Sequence, residues 1–410
     1  MTILTAGGSG NKPGYAAAVR ERIDTRAMSL LSSGHLATDF ANGALPALLP
    51  FFKDRFSLSY TLVAVLMLSS HVSSSLLQPL FGLWSDRRGA LWLLPAGVAL
   101  AGSGIALGAA SPTYALVVLC VLVSGIGVAA FHPEGSKFAA YTSGGKRASG
   151  MSYFSIGGNM GYALGPIVAT PLVLWLGLRG GLLLALPGLV IAAAMLSATP
   201  YLRSFAPDRE SFRAAGGRDR PGAMALLLGV IAFRSVAWFG LVTFVPLWEV
   251  SLGHSKAEGN RLLALMLVAG GAGTLLMGPL ADRFGRRPVL VASVVATSPL
   301  AFVFLVVGGI PGAIALAAVG ACVVGTFGVT MVMSQEYLPR HIGMASGLSI
   351  GLSIGLGGVG AVALGAVADS IDLRAAMYTA AGAAAAALVL AVRLPSSRSS
   401  RRLAVEPVAP

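Results

Sequence analysis

Charge is scarce in this chain: Asp, Glu, Lys and Arg together make up 11% of its 410 residues. An ordinary soluble domain carries about 25%, so a water-covered globular surface is excluded. Cysteine is scarcer still. Cys120 and Cys322 each sit inside an apolar run, which excludes a disulfide framework and leaves two free thiols. The five histidines and sixteen acidic residues form no HExxH, no Cys/His cluster and no nucleophile-elbow sequence. An enzyme is therefore not expected, and neither is a metal site. Gly-x-Gly spacings occur within 157–165 and 351–365, but no strand precedes them and they lie in apolar stretches, which excludes a dinucleotide fingerprint. Basic residues exceed acidic ones to give a net charge of +13. That excess is divided among short loops rather than gathered in one patch, so no nucleic-acid partner is expected.

What the chain has instead is hydrophobic length. Its hydrophobic share is 55% and its mean hydropathy is +0.79. Runs of about 20 apolar residues, enough to cross a bilayer as a helix, recur from end to end. They predict spans at roughly 28–52, 60–82, 90–110, 113–133, 148–175 and 179–199, then 223–250, 260–281, 288–309, 312–335, 343–368 and 373–394. The 53 glycines suit such a bundle, because small residues let helices approach closely in lipid. Lipid bilayer is thus an expected partner.

The basic residues test this map. Of 29, 22 fall in loops on the side of the N-terminus, 6 fall on the opposite side, and Arg234 lies inside a span. Cytoplasmic loops collect Lys and Arg, so both termini and the central loop of this multi-pass protein are expected in the cytoplasm. Residues 1–27 read as a polar, basic tail without an apolar core of its own, so the first span is expected to act as the insertion signal. Residues 28–199 read as a first six-helix bundle, 200–222 as an Arg-, Gly- and Pro-rich linker, 223–394 as a second bundle and 395–410 as a basic tail.

The two bundles repeat each other. Gly82-Leu-Trp-Ser-Asp86-Arg87-Arg88-Gly89 follows the second span, and Gly278-Pro-Leu-Ala-Asp282-Arg283-Phe-Gly285-Arg286-Arg287 follows the eighth. Gly150-Met151-Ser152 opens the fifth span and Gly343-Met344-Ala345 the eleventh. Matched landmarks about 195 residues apart predict an all-α integral membrane fold of two six-helix bundles related by a pseudo-two-fold axis, with a site between them.

The stretch 278–287 resembles the loop signature of the major facilitator superfamily, and 82–89 is a shorter copy of it. Within that superfamily the chain is similar to the fosmidomycin resistance proteins. The resemblance is carried by His35-Leu-x-x-Asp39, Ser73-Ser-Ser-Leu-Leu-Gln78-Pro79, Phe131-His132-Pro133-Glu134, Gly157-Gly158-Asn159, Gln335-Glu336-x-Leu-Pro339 and Gly343-Met344-x-Ser-Gly347. It implies proton-driven efflux across the inner membrane, with a small phosphonate antibiotic as the family's named substrate. Gly161-Tyr-Ala-Leu-Gly165-Pro166 is similar to the antiporter motif of drug exporters, but Ala169-Thr170 stands where that motif continues with a glycine pair.

Ionisable residues inside a span cost about 3 kcal/mol each on insertion scales and mark working sites. His35 and Asp39, four apart, share one helical face and can exchange a proton, or form a structural pair near a helix end. His132 and Glu134 flank Pro133, which is expected to bend or end the fourth span; Glu134 is a second proton site, or else a partner for Lys137. Glu336 ends the tenth span at what reads as the counterpart of Glu134, as a proton site or a gate ion pair with Arg87, Arg88 or another basic residue of the cytoplasmic loops. Arg234 offers a planar fork for an anionic solute, or for Asp39 or Glu249. His71, Gln78, Asn159 and Trp238 are candidates to line the cavity, with Phe239, Phe244 and Trp248 beside the last. Gly82, Asp86, Arg87, Gly278, Asp282, Arg283 and Arg286 are expected to latch the cytoplasmic side. Together these readings predict a secondary transporter, in the first instance an antiporter, that needs a small-molecule substrate and protons but no cofactor, and works as a monomer. An importer or symporter would use the same fold, and no residue here sets the direction.

Overall fold

The computed structural model describes residues 22–88, 90–144, 147–206, 218–339 and 342–395. The tails and the middle of the 200–222 linker lie outside them. The described residues are helical, without strands, and run as α1 (Thr25–Phe56), α2 (Tyr60–Arg88), α3 (Leu93–Ala110), α4 (Tyr114–Thr142), α5 (Arg147–Leu176), a 3₁₀ turn (Leu178–Leu184) leading into α6 (Ala185–Ser197), and the short α7 (Thr199–Arg203). The second half comprises α8 (Pro221–Ser251), α9 (Lys256–Phe284), α10 (Arg286–Val307), α11 (Gly309–Gly325), α12 (Phe327–Tyr337), α13 (Ile342–Ser370) and α14 (Leu373–Ala391). The 3₁₀ turn with α6 makes one crossing, and α11 with α12 another, so each half has six.

Eleven of the twelve crossings are long and apolar enough for a bilayer. The exception is α1. At 32 residues it is long enough, about 48 Å at 1.5 Å per residue, but His35, Asp39, Asn42, Pro46 and Pro50 dilute its apolar character. The helix that fails as a hydrophobic rod is the one that carries polar work. Its start is fixed locally: Asp24 caps it, accepting from the Ala27 N–H at 3.0 Å.

The halves share one backbone device. The Asp24 N–H donates to the Thr142 carbonyl at 2.9 Å, and the Arg220 N–H donates to the Tyr337 carbonyl at 2.7 Å. In both halves the residue before the first helix is tied to the last turn of the fourth crossing. This sets the register of the repeat: Glu336, which precedes Tyr337, matches Tyr141 rather than Glu134. The equivalence expected between the two glutamates is therefore corrected.

The packing is not even across the membrane. Away from the termini, one continuous hydrophobic core joins the halves, with Leu45, Leu48, Phe52, Val63 and Met67 of the first packed together with Val242, Val245, Leu263 and Leu364 of the second. Toward the termini the core splits in two: Met28, Leu31, Phe131 and Phe138 belong to one half, Met224, Leu227, Leu290 and Met333 to the other. The glycines of α13 trace the divergence. A Cβ at Gly365 would lie 2.9 Å from Thr61 Cα of α2, and one at Gly358 3.0 Å from Leu68; at Gly355 and Gly351 it would meet nothing within 4 Å. Between α5 and α9, a Cβ at Gly271 would touch Asn159 at 3.6 Å, while Gly278 again faces open space.

Polar contacts follow the same division. At the end remote from the termini they cross between halves. The Asp369 carboxylate accepts from the Tyr60 and Thr61 N–H groups at 2.7 and 2.8 Å, completing the first turn of α2 from the other bundle. Asn260 donates to the Ala47 carbonyl at 3.0 Å and to Thr170 Oγ1 at 2.9 Å. Lys256 pairs with Asp54. At the terminal end the polar contacts of Glu134 and Glu336 stay within a half: Glu134 with Lys137 at 2.8 Å and with Ser85, and Glu336 with Arg286. The result is a bundle closed at one end and cleft at the other.

Two measurements check this packing. A Cβ at Gly161 would lie 2.9 Å from the Leu36 Cα, where α1 and α5 touch by backbone, whereas one at Gly382 meets nothing within 4 Å. Gly161→Ala should lower the thermal midpoint of the purified protein, with a loss of about 1–3 kcal/mol for overpacking, while Gly382→Ala should leave it level or higher. Asp369→Ala removes the cross-bundle cap of α2. In a variant lacking Cys120 and Cys322 and carrying Thr61→Cys, it should raise maleimide labelling at position 61 severalfold.

Candidate functional site

Three side chains from two helices meet near the middle of the first bundle. α1 presents His35 and Asp39 one turn apart on one face, with His35 Nε2 3.2 Å from Asp39 Oδ2. α4 presents His132, whose Nε2 lies 3.4 Å from Asp39 Oδ1. The two imidazoles meet edge to face, with centroids 5.0 Å apart. The side chains are 12%, 17% and 24% exposed for His35, Asp39 and His132.

The other nitrogen of each ring is also committed. His35 Nδ1–H donates to the Phe154 carbonyl of α5 at 2.8 Å, and the Phe154 ring stacks on the imidazole at 4.2 Å. His132 Nδ1–H donates to the Val128 carbonyl, one turn back in α4, at 2.9 Å. A carbonyl only accepts, so the network assigns a proton to each Nδ1. Each Nε2 then faces a carboxylate oxygen, either as a second N–H donor or as a lone pair. Two contacts thus converge on one carboxylate, and each needs a cation between its two acceptor atoms to be attractive.

Room for this cluster comes from a missing side chain. A Cβ at Gly158 of α5 would fall on the His35 ring and 2.7 Å from Asp39 Oδ2. The Gly157-Gly158-Asn159 stretch is thus a wall of the site. Phe154 and Gly158 were missed at the level of sequence. The available signal was a glycine pair inside a span, facing a His-x-x-x-Asp helix.

The remaining candidates fall elsewhere. α4 continues through Pro133 to Thr142, so the expected helix end there is corrected. Residues two apart in an unbroken helix point about 200° apart. His132 accordingly turns toward Asp39, and Glu134, 1% exposed, turns the other way to Lys137 and Ser85. Glu336 pairs with Arg286 at the terminal end of the second half. Arg234 is buried; its Nη2 donates to the Val323 carbonyl at 2.6 Å and to Thr326 Oγ1 at 2.7 Å, holding α8 against the break between α11 and α12. Neither Asp39 nor Glu249 pairs with it among the described contacts, and Glu249 instead meets His254 at 2.5 Å.

His71 is buried at the seam between the halves, its ring edge-on to Phe239 at 4.4 Å and its Nδ1 without a partner. Gln78, Asn159 and Trp238 are half-buried; Phe239, Phe244 and Trp248 are core residues. Gly82 lies beside Pro133, 3.6 Å from where its Cβ would be, and Asp282 and Arg283 are exposed at the terminal end of α9. The side chains of Asp86 and Arg87 lie outside the described residues.

Comparison with known proteins accords with this architecture. The family model described as Major Facilitator Superfamily matches residues 31–265 and 227–409. An uncharacterised MFS-type transporter of Bacillus subtilis, YfnC, is 31% identical over 380 residues, covering 90% of this chain and 92% of that protein. The fosmidomycin resistance protein of Escherichia coli is 29% identical over 371 residues, covering 87% and 90%. Among solved structures, the inward-open xylose transporter XylE from E. coli superposes with a TM-score of 0.73 at 15% identity, over 90% of this chain and 96% of that one. A twelve-crossing helical bundle in two halves, matched along nearly its whole length by that family model, belongs to the Major Facilitator Superfamily and is a transporter, not an enzyme.

Proposed function

We propose that this chain is a proton-coupled antiporter of the inner membrane that exports a small drug-like or anionic compound, of the fosmidomycin-type phosphonate class, with both termini in the cytoplasm. The observation that carries this reading is the His35–Asp39–His132 cluster, three ionisable groups kept in a membrane bundle at a cost of about 3 kcal/mol each on insertion scales. The fosmidomycin resistance relative, similar over most of both chains, supports the substrate class.

In this reading the cleft at the terminal end is the cytoplasmic entrance, and solute enters it past Gln78, Asn159 and Trp238. Imidazolium N–H groups that face Asp39 are also donors for a phosphonate oxygen. Solute and protons draw on the same groups, so occupancy by one weakens the hold of the other, and nothing more is needed for exchange. Closing the cleft brings the 82–88 end of α2 toward the 278–287 junction of α9 and α10. Gly82, Asp86, Arg87, Gly278, Asp282, Arg283 and Arg286 then form the latch. Glu134 and Glu336, each already paired within its own half, brace these helix ends rather than carry the proton. Arg234 braces the second half as a scaffold and reaches solute only if the contacts to Val323 and Thr326 open.

The test is resistance and flux together. Expression in a fosmidomycin-sensitive host should raise the inhibitory concentration. Asp39→Asn should return it to the vector level, because losing one charge-assisted hydrogen bond, about 1.5–3 kcal/mol, corresponds to roughly ten- to hundredfold in affinity. Glu134→Gln should weaken resistance less than Asp39→Asn. In proteoliposomes, fosmidomycin should drive proton movement in the opposite direction. Full resistance in Asp39→Asn, or solute flux indifferent to an imposed pH gradient, would remove the proton assignment.

A further inference from the structure

We infer that His35, Asp39 and His132 form a binding site for one divalent transition-metal ion, of the Zn²⁺ or Co²⁺ class. The inference rests on the geometry of these side chains and stands whether or not the chain moves protons.

A metal-binding histidine has a characteristic second contact. One ring nitrogen carries the metal, and the other donates its N–H to a carbonyl or carboxylate that fixes ring orientation and tautomer. Both histidines here have that contact, His35 to the Phe154 carbonyl at 2.8 Å and His132 to the Val128 carbonyl at 2.9 Å. Each neutral ring therefore aims a lone pair from Nε2. The two lone pairs converge on the Asp39 carboxylate, and the three ligand atoms lie within 4.8 Å of one another. Ligands on a tetrahedron of about 2.0 Å radius stand about 3.3 Å apart. Each imidazole Nε2 stands at about that spacing from a different oxygen of the same carboxylate, His35 3.2 Å from Oδ2 and His132 3.4 Å from Oδ1.

Charge gives the same answer. With both rings neutral and Asp39 ionised, three acceptors face each other around a net charge of −1. Two protons, one per contact, relieve this, and so does one dication, which leaves the same net charge of +1. Two imidazoles and a carboxylate suit Zn²⁺, Co²⁺ or Ni²⁺ rather than Mg²⁺ or Ca²⁺, which prefer an all-oxygen shell. The partial exposure of the cluster leaves a coordination position for water or solute. Gly158 supplies the clearance, since a Cβ there would meet both His35 and Asp39. Four of the chain's five histidines fall among the described residues, and the two outside this cluster, His71 and His254, are each remote from a second histidine in sequence and absent from any such group.

The experiment uses the full chain without an affinity tag, in detergent or nanodiscs. Co²⁺ titration should give visible d–d absorption of a low-symmetry site saturating at one ion per chain, and Zn²⁺ should displace it. His35→Gln, His132→Gln and Asp39→Asn should each weaken binding by about tenfold or more, and Gly158→Ala should weaken it by crowding. His254→Gln, at the far end of α8, should bind as the wild type does. X-ray absorption of the Zn²⁺-loaded wild type requires no variant, and should find two imidazole nitrogens and a carboxylate oxygen. Absence of Co²⁺ binding by the wild type at micromolar metal, equal binding in all three cluster variants, or a sulfur-containing shell would overturn the assignment.

Discussion

A carboxylate faced by two imidazoles inside a lipid-embedded bundle cannot be left without positive charge between the partners. That requirement organises the first half of the molecule. Asp39 takes one imidazole from its own helix and one from α4, while α5 contributes the carbonyl that orients His35 and the glycine that makes space. Three helices are thereby committed to one small cluster. Whatever cation fills it also tunes how firmly those helices hold together. In a medium of low polarity such contacts weigh more than they would in water.

The second half answers with a different economy. The one buried basic residue among those described there, Arg234, is spent on a carbonyl and a hydroxyl at the point where the tenth crossing breaks. The halves share a fold and a register but not a chemistry: one holds the ionisable cluster, and the other supplies a rigid counterpart. Their union at the far end is mixed, part hydrophobic core and part carboxylate-to-backbone contact through Asp369.

Much of this was legible in the sequence, and the failures have physical causes. Apolar length and the alternation of basic loops give twelve crossings, because the bilayer imposes both. The pairing of His35 with Asp39 follows from helical spacing alone. The inclusion of His132 and exclusion of Glu134 does not: it depends on whether α4 survives Pro133, and neighbouring helices decide that, not the proline. Arg234 reads in sequence as an anchor for an anionic solute or a partner for Asp39 or Glu249, because sequence marks a charge in a span but not the carbonyls around it. Glu336 was paired with Glu134 by chemical type, whereas register places it opposite Tyr141. Gly158 was visible as a letter, but its meaning required knowing which helix it faced. Of the residues expected to form a latch, Gly82, Gly278, Asp282, Arg283 and Arg286 lie toward the cleft end.

The twin backbone bonds, Asp24 to Thr142 and Arg220 to Tyr337, have a consequence for how such duplicated proteins are read. Both join peptide groups only, so no side-chain replacement short of a proline at the donor position erases them. They outlast the divergence that leaves an ionisable cluster in one half and a buried arginine held by a carbonyl and a hydroxyl in the other. Landmarks so tolerant of substitution make a ruler: laid along the two copies, it aligns positions whose letters no longer agree.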